Sequence, residues 1–212
     1  MNRSHTTHFT AVVVTAFAVP MAAAGLLACT SDTPVDPQPP AITATSAVPT
    51  ALRWQPFQGV NLPVAEQGPR HIDGAVATGF DRNPVGAALA AIHATVRMSI
   101  ASDSQWPSVG ARMLAPGPAR DLWATTRAQI SITAPIADGA PKLLGYRLSH
   151  YSGDAADIDV YSIHPDNSLT RNSTRVIWHV DDWRLRPPED RTRSPVSAVD
   201  LPPADMVALP AR

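Results

Sequence analysis

The chain has 212 residues, 17 basic against 18 acidic side chains, a formal net charge of −1 and a single cysteine. So even a balance excludes the basic footprint of a nucleic-acid binder and any charged electrostatic tail. One cysteine excludes an internal disulfide and a thiolate metal cluster.

Residues 1–28 read as a secretory leader. Arg3 is the one basic residue there, and Ala11 to Ala28 carries no charge. A basic start, an apolar run and a small residue before the cut are the marks of such a segment. Leu26-Leu27-Ala28-Cys29 resembles the bacterial lipobox, which implies diacylation of Cys29, removal of the leader before it and acylation of the new N-terminus. A small residue is commoner than Leu27 at its position. Three other readings stand beside this one: a retained membrane anchor, cleavage without lipid, and a cysteine placed there by chance. Pro20 and the Ala-Ala-Ala-Gly stretch before Leu26 weigh against an anchor, because the run is near the minimum of about 18–20 residues for a span. Two or more acyl chains hold a protein stably on a membrane, where one does so only marginally.

Proline divides the rest. Half of the 22 prolines fall in residues 30–50 and 187–212. The first stretch is Ser/Thr/Pro-rich and too polar to repay its ordering entropy, so residues 29–52 are expected to be a lipid-anchored tether of ~60 Å, at about 3.1 Å per residue. Residues 53–186 form a single expected domain, and 187–212 a disordered or loosely packed tail.

Within the domain, Arg53 to Phe80 reads as an irregular arm that lays Trp54 and Phe57 on the core, with a short strand between Ile72 and Phe80. Asn83-Pro84 opens a helix: Asn is a good N-cap and Pro suits the first helical position. Val85, Leu89, Ile92, Val96 and Ile100 form its apolar stripe. A second helical region runs from Trp106 to Ile130, broken at Gly117-Pro118, with Leu122, Trp123, Thr126 and Ile130 as its buried face.

After Pro141 the period changes to two. Leu144, Tyr146, Leu148 and His150 alternate with polar residues, and Ile158 and Val160 do so after the turn at Ser152-Gly153-Asp154. A two-residue loop would set Leu148 against Asp159. A three-residue loop, Gly153 to Ala155, sets Leu148 against Val160 and His150 against Ile158 and separates the faces, so it is preferred; it also puts Arg147 diagonal to Asp159. Thr174, Val176, Trp178 and Val180 face inward on a third strand. Asp181-Asp182 turns it into a fourth, pairing Trp183 with Val180 and Leu185 with Trp178. The fold class is α+β: N-terminal helices on a curved, cone-like antiparallel sheet of about four strands.

The helical front half followed by a meander ending Trp178 and Val180-Asp181-Asp182-Trp183-Arg184-Leu185 resembles the nuclear-transport-factor-2-like cone. Gly68-Pro69, Gly74, Gly79-Phe80, Pro84, Gly86-Ala87 and Ala90-Ala91 are similar to an uncharacterised domain of actinobacterial exported lipoproteins, often associated with conjugative elements. The resemblance covers Trp54 to Arg186. It implies a fold and a compartment; fold alone does not decide function.

Chemistry is sparse. His71, His93, His150, His164 and His179 show no helical metal-ligand spacing, so no metal site is expected. Asp157 and Asp159 belong to an outer, solvated sheet face, and no calcium loop follows them. There is no nucleophile elbow, phosphate loop or dinucleotide fingerprint, and no cofactor is expected. The sequon Asn172-Ser173-Thr174 is read as chance. Among cone-fold enzymes acid–base groups line an apolar pocket; here Tyr146, His150 and His93 beside Trp178 are the candidate pocket residues, with Asp73 as the candidate carboxylate. Trp123, Trp178 and Trp183 are read as core filler. The expectation is a non-enzymatic exported lipoprotein, held on the outer face of the cytoplasmic membrane through lipid on Cys29. It would bind an unknown protein partner, in an envelope or conjugation assembly, and no nucleic acid. The alternative is a small-molecule binder or isomerase-like enzyme using the cone interior.

Overall fold

The computed structural model of the chain describes residues 47–190 and 192–210. The leader, Cys29 and the tether as far as residue 46 lie outside the described residues.

The expected irregular arm is a hairpin. β1 (Arg53–Phe57) and β2 (Val60–Val64) pair antiparallel, joined by Gln58 and Gly59, both at positive φ. Its prolines mask the strand pattern locally. Pro56 and Pro63 sit in a two-stranded ribbon with free edges, where a missing N–H breaks no inner ladder. β3 (His71–Asp73) and β4 (Val76–Thr78) follow as a second small ribbon.

α1 (Pro84–Ile100) begins as the sequence predicts. Asn83 caps it, its Oδ1 accepting from the Gly86 amide at 2.8 Å, a contact worth about 1 kcal/mol. Gly86 is required there, because a Cβ would lie 2.1 Å from the Asp81 carbonyl oxygen. Val85, Leu89 and Ile92 are buried, as are the five alanines from Ala87 to Ala94. These short side chains let the helix lie against β2, β4 and the main sheet at once.

α2 (Trp106–Met113) and α3 (Pro118–Arg127) flank the expected break. The expected buried face of α3 holds only in part: Trp123 packs against the core, and Leu122 and Ile130 do not. Leu122 and Ile130 are 43% and 52% exposed. α3 is fixed instead through Trp123, edge-on to Trp106 at 5.9 Å, and through buried Arg127. That guanidinium donates to the carbonyls of Ala101 and Ile130 and lies over the Trp106 ring. Only one edge of α3 therefore touches the body, and its apolar residues are left at the rim.

Among the described residues the main sheet has six strands in place of the four expected. Its order is β10-β5-β6-β7-β8, with β9 also paired to β7. β5 (Lys142–Tyr151) and β6 (Ala155–Ile163) form the anticipated hairpin in a different register. Leu148 faces Ile158, His150 faces Asp157, and Arg147 faces Asp159 directly. The loop is the two-residue one, with the Ser152 amide bonded to the Ala155 carbonyl at 2.7 Å. A bulge at Ser149 then restores the parity that a longer loop was invoked to explain.

β7 (Leu169–His179) turns into β8 (Asp182–Arg186) through Val180 and Asp181, both at positive φ. The expected Asp181-Asp182 turn is therefore one residue out: Trp178 faces Trp183 and Val176 faces Leu185, while Val180 is exposed. Asp182 is unavailable to the turn because its carboxylate accepts from the amides of Gly79, Phe80 and Trp183.

The proline-rich C-terminal segment also differs from the loose tail expected. β9 (Val196–Val199) pairs with β7, and β10 (Val207–Ala208) pairs with β5. Val207 and Leu209 are buried. β10 reaches β5 at Gly145, where a Cβ would stand 2.3 Å from the Val207 carbonyl oxygen. Prolines at strand margins are compatible with such edge strands.

Candidate functional site

The partners of β7 leave a notch. β8 covers Arg175 to His179 and β9 covers Leu169 to Asn172 on the same edge. Between them the Ser173 amide donates to the Pro195 carbonyl at 2.9 Å. A cleft of about 650 Å³ opens here, within the range of small-molecule sites.

The cleft takes its walls from both faces of the sheet. Ile158, Leu185 and Thr174 stand on the face that carries α1; Asp157, Asp159, Ser173 and Arg175 stand on the other, by strand alternation. α1 contributes Met98 and α3 contributes Leu122 and Trp123. Pro187, Pro188, Pro195 and Val196 form a lip. Leu122 and Trp123 of α3 are thus one wall of the cleft, which is where the exposed face of Leu122 is turned.

The charged groups of the cleft are ordered by the sheet register. Asp159 is 7% exposed, so it is not the solvated residue expected. Its Oδ2 accepts from Arg147 at 2.8 Å and its Oδ1 from the Ser173 hydroxyl at 2.5 Å. The bond to Asp159 holds the Arg147 guanidinium above its ordinary pKa. Asp157 lies more loosely beside Arg175, at 3.4 Å. Arg186 stands directly opposite Arg175 on β8 and pairs with Glu189. An adjoining hollow of about 280 Å³ shares Ala119, Arg186 and Pro187 with the cleft and adds Arg120.

The four candidate pocket residues do not converge, and none lines this cleft. Tyr146 is buried on β5, its hydroxyl donating to the Ala47 carbonyl at 2.9 Å; burial raises its pKa. His93 is fully buried, within 2.8 Å of the Pro63 carbonyl and accepting from Arg97 at 3.3 Å. Burial first, and the Arg97 charge second, push its pKa down to about 3. Arg97 is itself 2% exposed, stacks over Phe57 at 4.3 Å and is lowered to about 10 by desolvation. The bulge carries His150 to the outer face, where it is exposed. Trp178 is half-buried, edge-on to Trp183 at 5.4 Å beneath the Arg82 guanidinium. Asp73, the candidate carboxylate, is at the surface paired with Arg112 at 3.0 Å. Of the three tryptophans read as core filler, Trp183 is buried and Trp123 lines the cleft.

Among the described residues no cluster of three or more His, Cys, Asp or Glu could hold a metal, and no helix is long and apolar enough to cross a membrane. The cleft residues carry no shared local pattern, because they come from seven separate stretches of chain. The one local signal was an apolar α3 face with no strand left to cover it.

Residues 18–202 match a family model described as a domain of unknown function (DUF8175). No curated protein and no solved structure matches the chain.

Proposed function

We propose, for a chain that belongs to the DUF8175 family of domains of unknown function, that it is an exported lipoprotein carrying a non-catalytic binding module. The module meets its partner at the cleft between α1, α3 and the β7 edge. Acylated Cys29 holds it on the outer face of the cytoplasmic membrane, and the Pro-rich tether spaces it from the lipid. The leader composition and the Leu26-Leu27-Ala28-Cys29 sequence support the anchor. The order of helices ahead of an antiparallel sheet supports the cone-like reading; the reading as an actinobacterial lipoprotein serving an envelope or conjugation assembly rests on the resemblance carried by Gly68-Pro69, Gly79-Phe80, Gly86-Ala87 and Ala90-Ala91.

The observation that carries binding over acid–base catalysis is the state of the cleft carboxylates. Asp159 is held by Arg147 and Ser173, and Asp157 stands beside Arg175. A general base needs an acceptor free to take a proton from its substrate; a recognition surface needs side chains fixed in place, as Asp159 is.

Site-specific photo-cross-linking in the anchored protein tests this. A benzophenone side chain at Leu122, inside the cleft, should give discrete adducts in the native envelope. The same group at Val48, exposed and outside the cleft, should not. Equal patterns from both positions would overturn the assignment of the cleft.

A small-molecule reading is favoured by one observation, the size of the cleft, and it leads to a definite ligand chemistry.

A further inference from the structure

Arg175 and Arg186 face each other across β7 and β8. Like charges directly opposite on neighbouring strands repel and destabilise the pair. Both side chains remain about half exposed, at 48% and 52%, and both line the cleft. Each guanidinium has five donors. Among the described residues, Arg175 meets one acid, Asp157, at 3.4 Å, and Arg186 meets one, the 69%-exposed Glu189. Donors of both groups are left directed at solvent in the mouth of the cleft. Arg120, in the adjoining hollow that shares Arg186, adds a third guanidinium nearby.

The opposite wall has different chemistry. Met98, Leu122, Trp123 and Val196 present apolar surface, with Leu122 and Val196 each 43% exposed. The cleft passes through the notch between β8 and β9, so the apolar wall on one face of the sheet and the arginine pair on the other belong to one continuous space. We propose that the cleft takes an anionic amphiphile: an alkyl chain against Met98, Leu122, Trp123 and Val196, and a carboxylate or phosphate head bridging Arg175 and Arg186. Bidentate guanidinium contacts to such heads are strong and geometrically selective, and the head would remove the repulsion between the two arginines. Burial of the chain supplies the affinity and the arginine pair the choice of charge. The proposal rests on the cleft being the binding site and names what it binds.

The test is calorimetric titration of the full chain carrying Cys29→Ser, so that no attached acyl chain competes. The probes are sodium dodecanoate, dodecyl phosphate and dodecyltrimethylammonium. Saturable binding of an anion is expected, with a Kd on the order of 10 μM. The cation should bind at least about tenfold more weakly. Arg175→Gln with Arg186→Gln should weaken the anions by about tenfold or more, the loss of two charge-assisted contacts. Arg175→Lys with Arg186→Lys, which keeps the charge and loses the bidentate fork, should give an affinity between those of the unmodified pair and the Gln pair. Leu122→Asp should weaken every probe. Tighter binding of dodecanoate would assign the site to fatty acids, and tighter binding of dodecyl phosphate to lipid phosphate heads. No saturable binding of either anion below 1 mM (a threshold of about −4 kcal/mol), or equal affinity in the Gln double variant, overturns the proposal. Cleft-specific cross-links with no amphiphile binding would remove this ligand class while leaving the binding module standing.

Discussion

Arg147 and Asp159 stand directly opposite each other on β5 and β6, and the 2.8 Å bond between them is completed by the Ser173 hydroxyl on β7. Three neighbouring strands are thereby cross-linked at the floor of the cleft. Asp159 is nearly buried, while Arg147 keeps about a third of its side chain exposed, so solvent weakens the pair relative to a fully buried one. Asp159→Ala should cost about 2–3 kcal/mol, because it strands a guanidinium whose Nε is already buried without a partner. Arg147→Met should cost more, about 3–4 kcal/mol, since it leaves the nearly buried Asp159 carboxylate with the Ser173 hydroxyl alone. Urea unfolding of the two variants and the double variant measures this; equal losses would contradict it.

His93 makes stability pH-dependent. Its folded pKa is near 3 against an ordinary 6.5, so between those values the unfolded chain binds a proton that the folded chain refuses. Stability from this source is complete above pH 6.5 and is lost as pH falls toward 3, at about 1.4 kcal/mol per pH unit. His93→Gln, whose amide can still donate to Pro63, should flatten the difference between pH 6.5 and 4.5. Parallel pH profiles for the two proteins would refute the assignment.

The β7–β8 turn stores strain that can be relieved. Val180 has φ 48° and Asp181 has φ 59°, the left-handed pair that a type I′ turn demands, and a β-branched residue fits it poorly. Val180→Asn should stabilise by about 1 kcal/mol and raise the Tm by about 2–4 °C. A lowered Tm would show that the exposed valine has a contact the turn geometry does not explain.

The C-terminal strands are part of the folded unit. Truncation after Asp205 removes buried Val207 and Leu209 and the bond from the Trp54 indole to the Pro210 carbonyl. Each buried aliphatic is worth about 1.5–3 kcal/mol, so the truncated chain should lose several kcal/mol and unfold at clearly lower urea. An unchanged midpoint would mean that β10 is ornamental.

Much of this was legible in the sequence where the determinants are local. Asn83-Pro84 and the Val85–Ile92 spacing fixed the start and inner face of α1, and alternation fixed the strands around Leu148 and Ile158. What failed depends on distant chain. The Ser149 bulge moves His150 out of the expected pocket, yet nothing between Leu144 and Tyr151 announces it. The turn shifts from Asp181-Asp182 to Val180-Asp181 because Asp182 is claimed by amides some hundred residues earlier in the chain. β9 and β10 were obscured by proline, which suppresses a local strand signal without forbidding an edge strand. The cleft itself follows from where β8 stops and β9 begins, a fact of tertiary pairing alone.

The occupancy of the cleft in place is the most direct measurement. Leu122→Cys and Val48→Cys are each introduced into the full chain, in which an acylated Cys29 would be blocked as a thioether, and labelled with maleimide in the intact envelope and after purification. The account predicts that the Leu122→Cys thiol is protected in the envelope and reactive once purified, while the Val48→Cys thiol reacts equally in both. Full reactivity of the Leu122→Cys thiol in the envelope would contradict it.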